Sequence, residues 1–512
     1  MDERFADALA RLPDYFGNHV LVSVTALALG LALSLTLAIA SLRRPALRAA
    51  LLAATSIVQT IPGLALLALF YPLLLGAAAL SQRTFGVSFS ALGFLPAVLA
   101  LALYSMLPVV RNTIAGIMGI DPAIKRAALG VGMTERQSLR MVELPLALPV
   151  IMAGVRTASV WVIGTATLST PIGQTSLGNY IFTGLQTQNW VLVLFGCVAA
   201  ALLALAVDQL LSLIERGYGL RSRKRMTAGG AGLALIVLLS LVPNLLAGGR
   251  GYVVGAKPFA EQYILAALIQ DRLGARGLPS TRRDGLGSAI IFSALAAGEI
   301  DAYVEYSGTI WTNQMQRSDV PSREQVLQET GDWLKARHGI VMLGPLGFEN
   351  AYALAMAKKR ATELAISSIA DLARHASSLS IAGDYEFFGR PEWKALEKSY
   401  GLAFRQQRQM QAEFMYPAVA AREVDVIAAY TSDGRVAQFE LQILDDPKRA
   451  IPPYDAVLLI SPKRAGDQRL LEALRPLVGA IPVETMRDAN RRAGEGVSPE
   501  AVARTMAARL GR

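Results

Sequence analysis

A single cysteine, Cys197, and three histidines, His19, His338 and His375, stand in a sequence of 512 residues. One cysteine allows no internal disulfide and no cysteine-based zinc site, and three scattered histidines argue against a histidine-rich metal centre. No Gly-x-x-x-x-Gly-Lys-Ser/Thr run occurs, so this chain carries no phosphate loop for ATP. Gly285 and Gly287 come closest to a glycine-rich loop, but the lysine is missing. No Ser–His–Asp order suggests a nucleophilic triad. Glu299, Asp301, Glu423 and Asp425 could be paired carboxylates for acid–base work. Their places at helix-to-strand turns predict solvated turn residues instead.

Charge is also scarce, at 18% of residues against 53% hydrophobic, and it is unevenly spread. The first 250 residues hold long apolar runs; after Gly251, charges recur every few positions and no run is long enough to cross a bilayer. A spanning helix needs about 20 mostly apolar residues. Six stretches qualify, at about 18–41, 49–76, 91–110, 147–170, 190–214 and 229–247. Pro62 and Pro72 predict a kink or break in the second. Arg156 in the fourth is costly in lipid, which predicts that its face looks toward protein or a water-filled path.

The formal charge of +10 would suggest nucleic-acid binding in a soluble protein. Here the basic residues flank apolar runs, so orientation in a membrane is the better reading, and no nucleic-acid partner is expected. Arg43, Arg44 and Arg48 place the first loop in the cytoplasm. Arg111, Lys125, Arg126, Arg136 and Arg140 place the next there, and Arg216 to Arg225 a third. The part after 250 is then extracytoplasmic. The first apolar run follows a mixed acidic segment and is read as a span, not a cleaved signal. The sixth, preceded by Arg221-Ser-Arg-Lys-Arg225, reads as a retained anchor.

The second cytoplasmic loop, about 121–146, contains Ala127-Ala128, Gly132 and Val142-Glu143-Leu144-Pro145. Two small residues suit a tight helix contact, and glycine permits a turn that a side chain would obstruct. Glu135 to Glu143 reads as a short helix that Pro145 ends before the next span. The spacing resembles the coupling-loop signature of ABC importer permeases: Glu-Ala-Ala, three residues, Gly, nine residues, Ile-x-Leu-Pro. Ala127, Ala128, Gly132, Val142, Leu144 and Pro145 match it, while Arg126 stands in place of the family glutamate. The resemblance implies docking on a separate ATPase chain that uses the ATP, with two ATPase copies serving two copies of this chain. No cofactor is expected here.

Residues 251–512 alternate strand-like and helix-like segments, which argues an α/β fold with mainly parallel sheets. Strand candidates are Gly251–Ala256, Ala302–Tyr306, Tyr352–Ala357, Ser380–Gly383, Val424–Tyr430 and Ala456–Ser461. An echo recurs: Ala297-Gly-Glu-Ile-Asp301 leads to Tyr306, and Ala421-Arg-Glu-Val-Asp425 leads to Tyr430. Two lobes of like topology, each aiming a tyrosine at one cleft, would produce it.

Four segments, Lys257–Gln262, Tyr303–Thr309, Tyr430–Arg435 and Pro452–Asp455, together resemble the glycine betaine, carnitine and choline binding proteins of ABC importers. The resemblance implies a two-lobed periplasmic-binding-protein domain of type II. It implies an aromatic cage of Tyr306, Tyr352, Tyr430 and Tyr454, with Lys257, Thr309 and Arg390 on a ligand carboxylate. Asn350 stands where some members have an acidic residue. The chemistry agrees: a quaternary ammonium has no N–H, and its diffuse charge suits aromatic faces at about 0.5–2 kcal/mol per contact. Arginine can grip a carboxylate with two parallel bonds.

The expected architecture is therefore an all-α transmembrane permease (1–226), a sixth span or anchor linker (227–250) and an α/β extracytoplasmic receptor (251–512). The expected setting is a bacterial inner membrane, among lipid. The cargo class is small betaines, choline or carnitine; ergothioneine, a larger trimethylated histidine derivative used by some fused relatives, fits the same cage. A membrane-anchored sensor without transport is the competing class.

Overall fold

The computed structural model describes residues 3–86, 89–187, 189–246, 251–317 and 319–510. Residues 247–250, at the end of the expected linker, lie outside the described residues. The chain divides into two compact units, Met1–Phe182 with Leu192–Gly248, and Thr183–Val191 with Gly249–Arg512.

The first unit is helical, and among the described residues six helical stretches are long and apolar enough to cross a membrane: Arg11–Ser41, Gly63–Phe85, Phe94–Met118, Glu135–Ile172, Trp190–Gly219 and Arg223–Val242. Phe94–Met118 is the most buried, packing against the first helix and against Leu144–Ala166. Close approach there requires small residues. A Cβ on Gly30 would lie 1.9 Å from Ser105 Oγ, and one on Gly154 would lie 2.7 Å from the Pro108 carbonyl. Contacts of this kind let membrane helices pack where lipid supplies no hydrophobic drive.

The break expected in the second apolar stretch is at Pro62; the helix end expected at Pro145 is absent. The second apolar stretch is two helices, Pro45–Thr60 and Gly63–Phe85, because Pro62 lacks an N–H and biases Ile61 to an extended backbone (φ −73, ψ 127). Pro72 lies within the second of these without ending it. Nor does Pro145 end a helix. Glu135–Ser138 runs through a wide π-turn, Leu139–Glu143, into Leu144–Ala166. The Leu144 N–H bonds the Leu139 carbonyl five residues back, and Pro145, in the first turn of Leu144–Ala166, has no N–H to place. Arg156 is not isolated: its Nε and Nη2 donate to the two Asp208 oxygens at 2.9 and 3.0 Å, and its Nη1 to Glu215 at 3.0 Å.

The second unit holds two five-stranded sheets. The strands are β1 (Tyr252–Gly255), β2 (Ser280–Arg283), β3 (Ala302–Tyr306), β4 (Val341–Glu349), β5 (Tyr352–Ala357), β6 (Ser380–Gly383), β7 (Gln406–Gln409), β8 (Val426–Tyr430), β9 (Leu441–Ile443) and β10 (Asp455–Ile460). Their orders are β2-β1-β3-β10-β4 and β7-β6-β8-β5-β9. The orders superimpose term by term, so the two lobes share one topology. The sheets are mixed rather than mainly parallel: β1 pairs parallel with β2 and β3, but β10 runs antiparallel to β3 and β4. β5 is likewise antiparallel to β8 and β9. β5 and β10 are the strands that arrive from the other lobe, which reverses their direction.

The echoed aspartates do a structural job. Asp301 Oδ2 accepts the Val253 N–H at the start of β1, and Asp425 Oδ2 accepts the Ser380 N–H at the start of β6, each at 2.8 Å. Asp301 is buried, not solvated as expected, and carries Arg464 on its other oxygen.

Candidate functional site

The shared topology places the tyrosines. Tyr306 ends β3 and Tyr430 ends β8; Tyr454 immediately precedes β10 and Tyr352 opens β5. Since β10 and β5 run antiparallel to β3 and β8, all four positions fall at the ends of the sheets where the chain crosses between lobes. Tyr352 and Tyr430 are direct cross-strand partners.

Three of the rings meet. Tyr352 lies 5.0 Å from Tyr430 and 6.0 Å from Tyr454, the latter nearly edge-on at 86°. The Arg390 guanidinium sits 5.0 Å over the Tyr352 face. Tyr306 is set apart, stacked on Phe259 at 6.2 Å, with Lys257 Nζ 5.3 Å from its centroid. Burial pushes the phenols of Tyr306, Tyr352 and Tyr430 above the ordinary tyrosine value, so they stay neutral donors.

Tyr454 and Tyr430 are held by local devices. Ser307 Oγ donates to the Pro453 carbonyl at 3.1 Å and accepts the Asp455 N–H at 2.9 Å, fixing the peptide that carries Tyr454. Gly308 admits that ring: a Cβ there would lie 2.5 Å from its Cδ2 and Cε2. The Tyr430 hydroxyl donates to Asp384 and the Tyr454 hydroxyl to Glu392. Pro391 opens the helix Pro391–Tyr400 behind an extended Arg390. Arg390 then pairs with Glu392 at 2.9 and 3.2 Å, reaches Tyr454 Oη at 3.4 Å, and is nearly buried. Thr312 Oγ1 donates to Glu392 at 2.9 Å, so Glu392 joins the lobes.

Among the polar residues expected on a carboxylate, Lys257 is ion-paired with buried Glu305, which also accepts the Tyr303 hydroxyl at 3.0 Å. Thr309 is buried on the turn that follows β3. Asn350 bonds the Tyr454 carbonyl through its backbone N–H at 2.9 Å and Glu261 through its side chain at 3.0 Å. Sequence reasoning passed over Glu261, Asp384, Glu392 and Ser432. Only Glu261 and Ser432 lie in segments that carried the resemblance; nothing local distinguishes Asp384 or Glu392 from surface acids. Chemically, the aromatic faces suit a soft cation, and the buried guanidinium, now paired with Glu392, suits an anion that replaces that partner.

In the helical unit, the loop is a helix Pro122–Gly130, capped by Asp121, a turn in which Gly132 adopts φ +87, and Glu135–Ser138, opened by a Thr134–Gln137 capping box. Lys125 Nζ bonds Glu143 at 3.1 Å and the Ile117 carbonyl at 2.9 Å, bracing both halves. Ala128 is buried against this frame; Arg126, Ala127 and Gly132 are exposed, and Val142, Leu144 and Pro145 are half-buried. Leu129 and Val131 stand 49% and 77% exposed, an apolar tip free to meet another surface.

Residues 251–508 match the family described as the substrate binding domain of ABC-type glycine betaine transport systems, and residues 30–219 match the binding-protein-dependent transport system inner membrane component. A Helicobacter pylori protein named ergothioneine transport permease/ergothioneine binding protein is 31% identical over 486 residues, covering 91% of this chain and 84% of its own length. A Bacillus subtilis glycine betaine/carnitine/choline transport system permease is 38% identical over 200 residues, 39% of this chain and 85% of its own. A solved glycine betaine/carnitine/choline ABC transporter structure is 26% identical, covering 50% of this chain and 98% of its own, with a TM-score of 0.45.

Proposed function

The chain belongs to the ABC-type glycine betaine transport family, as a permease fused to its substrate-binding domain, and from that membership we propose that it imports small quaternary-ammonium solutes: glycine betaine, carnitine, choline or a like betaine. The meeting of Tyr352, Tyr430 and Tyr454 beside the buried Arg390 carries this reading. Aromatic faces hold the cation, and Arg390, Thr309 and Lys257 are the groups for the anion, Arg390 and Lys257 exchanging their present pairing with Glu392 and Glu305 for it. Tyr306 and Asn350 frame the far wall, joined through Glu261. Ergothioneine is the second reading, supported by the fused relative from Helicobacter pylori that matches across both parts of the chain.

Residues 251–512 lie on the extracytoplasmic face of a bacterial inner membrane. The solute draws the lobes together, and the loaded receptor delivers it to the permease. The apolar tip around Leu129 and Val131 docks on a cytoplasmic ATPase chain, two copies serving a pair of these chains. ATP is bound and hydrolysed there. Fusion keeps the receptor at a high effective concentration over the path.

The test is calorimetry on the full chain in lipid nanodiscs with glycine betaine, choline, carnitine and ergothioneine. Saturable binding of one, strongly weakened by Tyr430→Ala, supports the proposal. Binding of none of the four ends the quaternary-ammonium assignment.

A further inference from the structure

Glu261 lies in the first turn of the helix Ala260–Ala275 and is 3% exposed. Four donors from four other segments converge on it. Tyr306 Oη at 2.6 Å comes from the end of β3, and Asn350 Nδ2 at 3.0 Å from the crossing segment between lobes. Ser432 Oγ at 2.6 Å comes from the loop after β8, and Asn490 Nδ2 at 2.7 Å from the helix Val483–Gly494. One carboxyl thus ties Tyr306 to the loop of the opposite lobe. That loop is pressed on the same helix: Asn490 Nδ2 also donates to the Ser432 carbonyl at 2.8 Å, and Arg487 Nε to the Thr431 carbonyl at 3.2 Å. Gly434 packs so closely that a Cβ would lie 2.4 Å from the Arg491 nitrogen.

The surroundings accommodate either protonation state. As a carboxylate, Glu261 accepts from both carboxamides. The Oδ1 atoms of Asn350 and Asn490 are buried with no partner among the described residues. Rotating either amide by half a turn would offer that oxygen to a carboxyl proton. The other charges nearby are already engaged: Lys257 with Glu305, Asp433 with Arg435, Arg282 with Asp284 and Glu500, and Arg491 with Asp488 and Glu495. Arg487 is spent on a backbone carbonyl. Tyr306 is a neutral donor.

We propose that Glu261 is a proton-linked positioning residue: it latches the Ser432 loop of one lobe to the Tyr306 wall of the other, and the lobes hold together more firmly when it is protonated. The latch rests on the proposed solute-binding role only for its purpose; its geometry stands without a ligand. Burial pushes the Glu261 carboxyl above its ordinary value, with the four hydrogen bonds pulling it back. The sign follows: a raised value in the latched state means that the latch is firmest below the ordinary glutamate value and loosens as pH rises through the raised one.

Two measurements on the full chain in nanodiscs test this. Amide hydrogen exchange of residues 430–438 without solute, corrected for intrinsic rates, should show protection falling as pH is raised from below the ordinary glutamate value. Glu261→Gln should abolish that pH dependence, and Ser432→Ala should weaken protection at every pH while keeping its slope. Glycine betaine, choline, carnitine and ergothioneine affinities, wherever one binds, should fall over the same range in the wild type and stay flat in Glu261→Gln. Equal pH slopes in the wild type and Glu261→Gln overturn the latch. If no solute binds but the exchange pattern holds, the cargo assignment fails and the latch survives.

Discussion

Gly308→Ala is the smallest change that reaches the aromatic cluster. Its Cβ would sit 2.5 Å from two Tyr454 ring carbons, where ordinary contact begins near 3.4 Å. The ring must therefore retreat by about 1 Å, yet its hydroxyl is held by Glu392 and its face abuts Tyr352. Such overpacking typically costs about 1–3 kcal/mol. If the retreat removes one aromatic contact from the bound cation, about 0.5–2 kcal/mol of binding is lost, or roughly 2- to 30-fold in affinity. Calorimetry on the full chain in nanodiscs, with the same four solutes, reads this directly. Gly466→Ala is the control, since nothing lies within 4 Å of its Cβ position. The expected result is weaker binding in Gly308→Ala and none of that loss in Gly466→Ala. Unchanged affinity in Gly308→Ala, with the variant folded, would refute a role for the Tyr454 ring at its present position.

Three further outcomes follow from the same geometry. Tyr430→Phe keeps the ring beside Tyr352 but removes the bond to Asp384, so its affinity should fall less than that of Tyr430→Ala in the same titration. Gly132→Ala meets no neighbour but forces a side chain to φ +87, at a cost of about 1–2 kcal/mol at the loop. Solute-stimulated ATP hydrolysis with the partner ATPase should drop while solute binding stays intact. Arg156→Ala strands Asp208 and Glu215 in the helical unit and should lower the yield of monodisperse protein in detergent chromatography. Arg156→Lys should recover part of it, because one ammonium cannot reproduce the two parallel bonds to Asp208.

Strand position explains what the sequence revealed. The six strands legible from it, β1, β3, β5, β6, β8 and β10, occupy the interior of the two sheets. Burial on both faces makes them apolar runs such as Val426–Tyr430. The four that escaped notice, β2, β4, β7 and β9, are the four edges. β7 is Gln-Gln-Arg-Gln and fully exposed, and β4 contains Gly344, Pro345 and Gly347, which an edge tolerates. The direction of β5 and β10 was hidden for another reason: it depends on the chain crossing between lobes, which no local pattern encodes. Tyr306 and Tyr430 stood out through the echoed segments that end in them, whereas Tyr352 and Tyr454 came only from the family resemblance. Asp384, Glu392 and the convergence on Glu261 were not legible, since each partner is brought in from a distant segment. In the helical unit, Pro145 misled because it sits in the first turn of Leu144–Ala166, where a missing N–H costs little, and a π-turn joins that helix to the one before.

Uptake decides the central claim. The full chain, reconstituted with its ATPase in vesicles, should accumulate whichever of glycine betaine, choline, carnitine or ergothioneine it binds, only when ATP is supplied on the ATPase side. Binding without ATP-dependent accumulation would contradict transport and leave a membrane-anchored solute sensor.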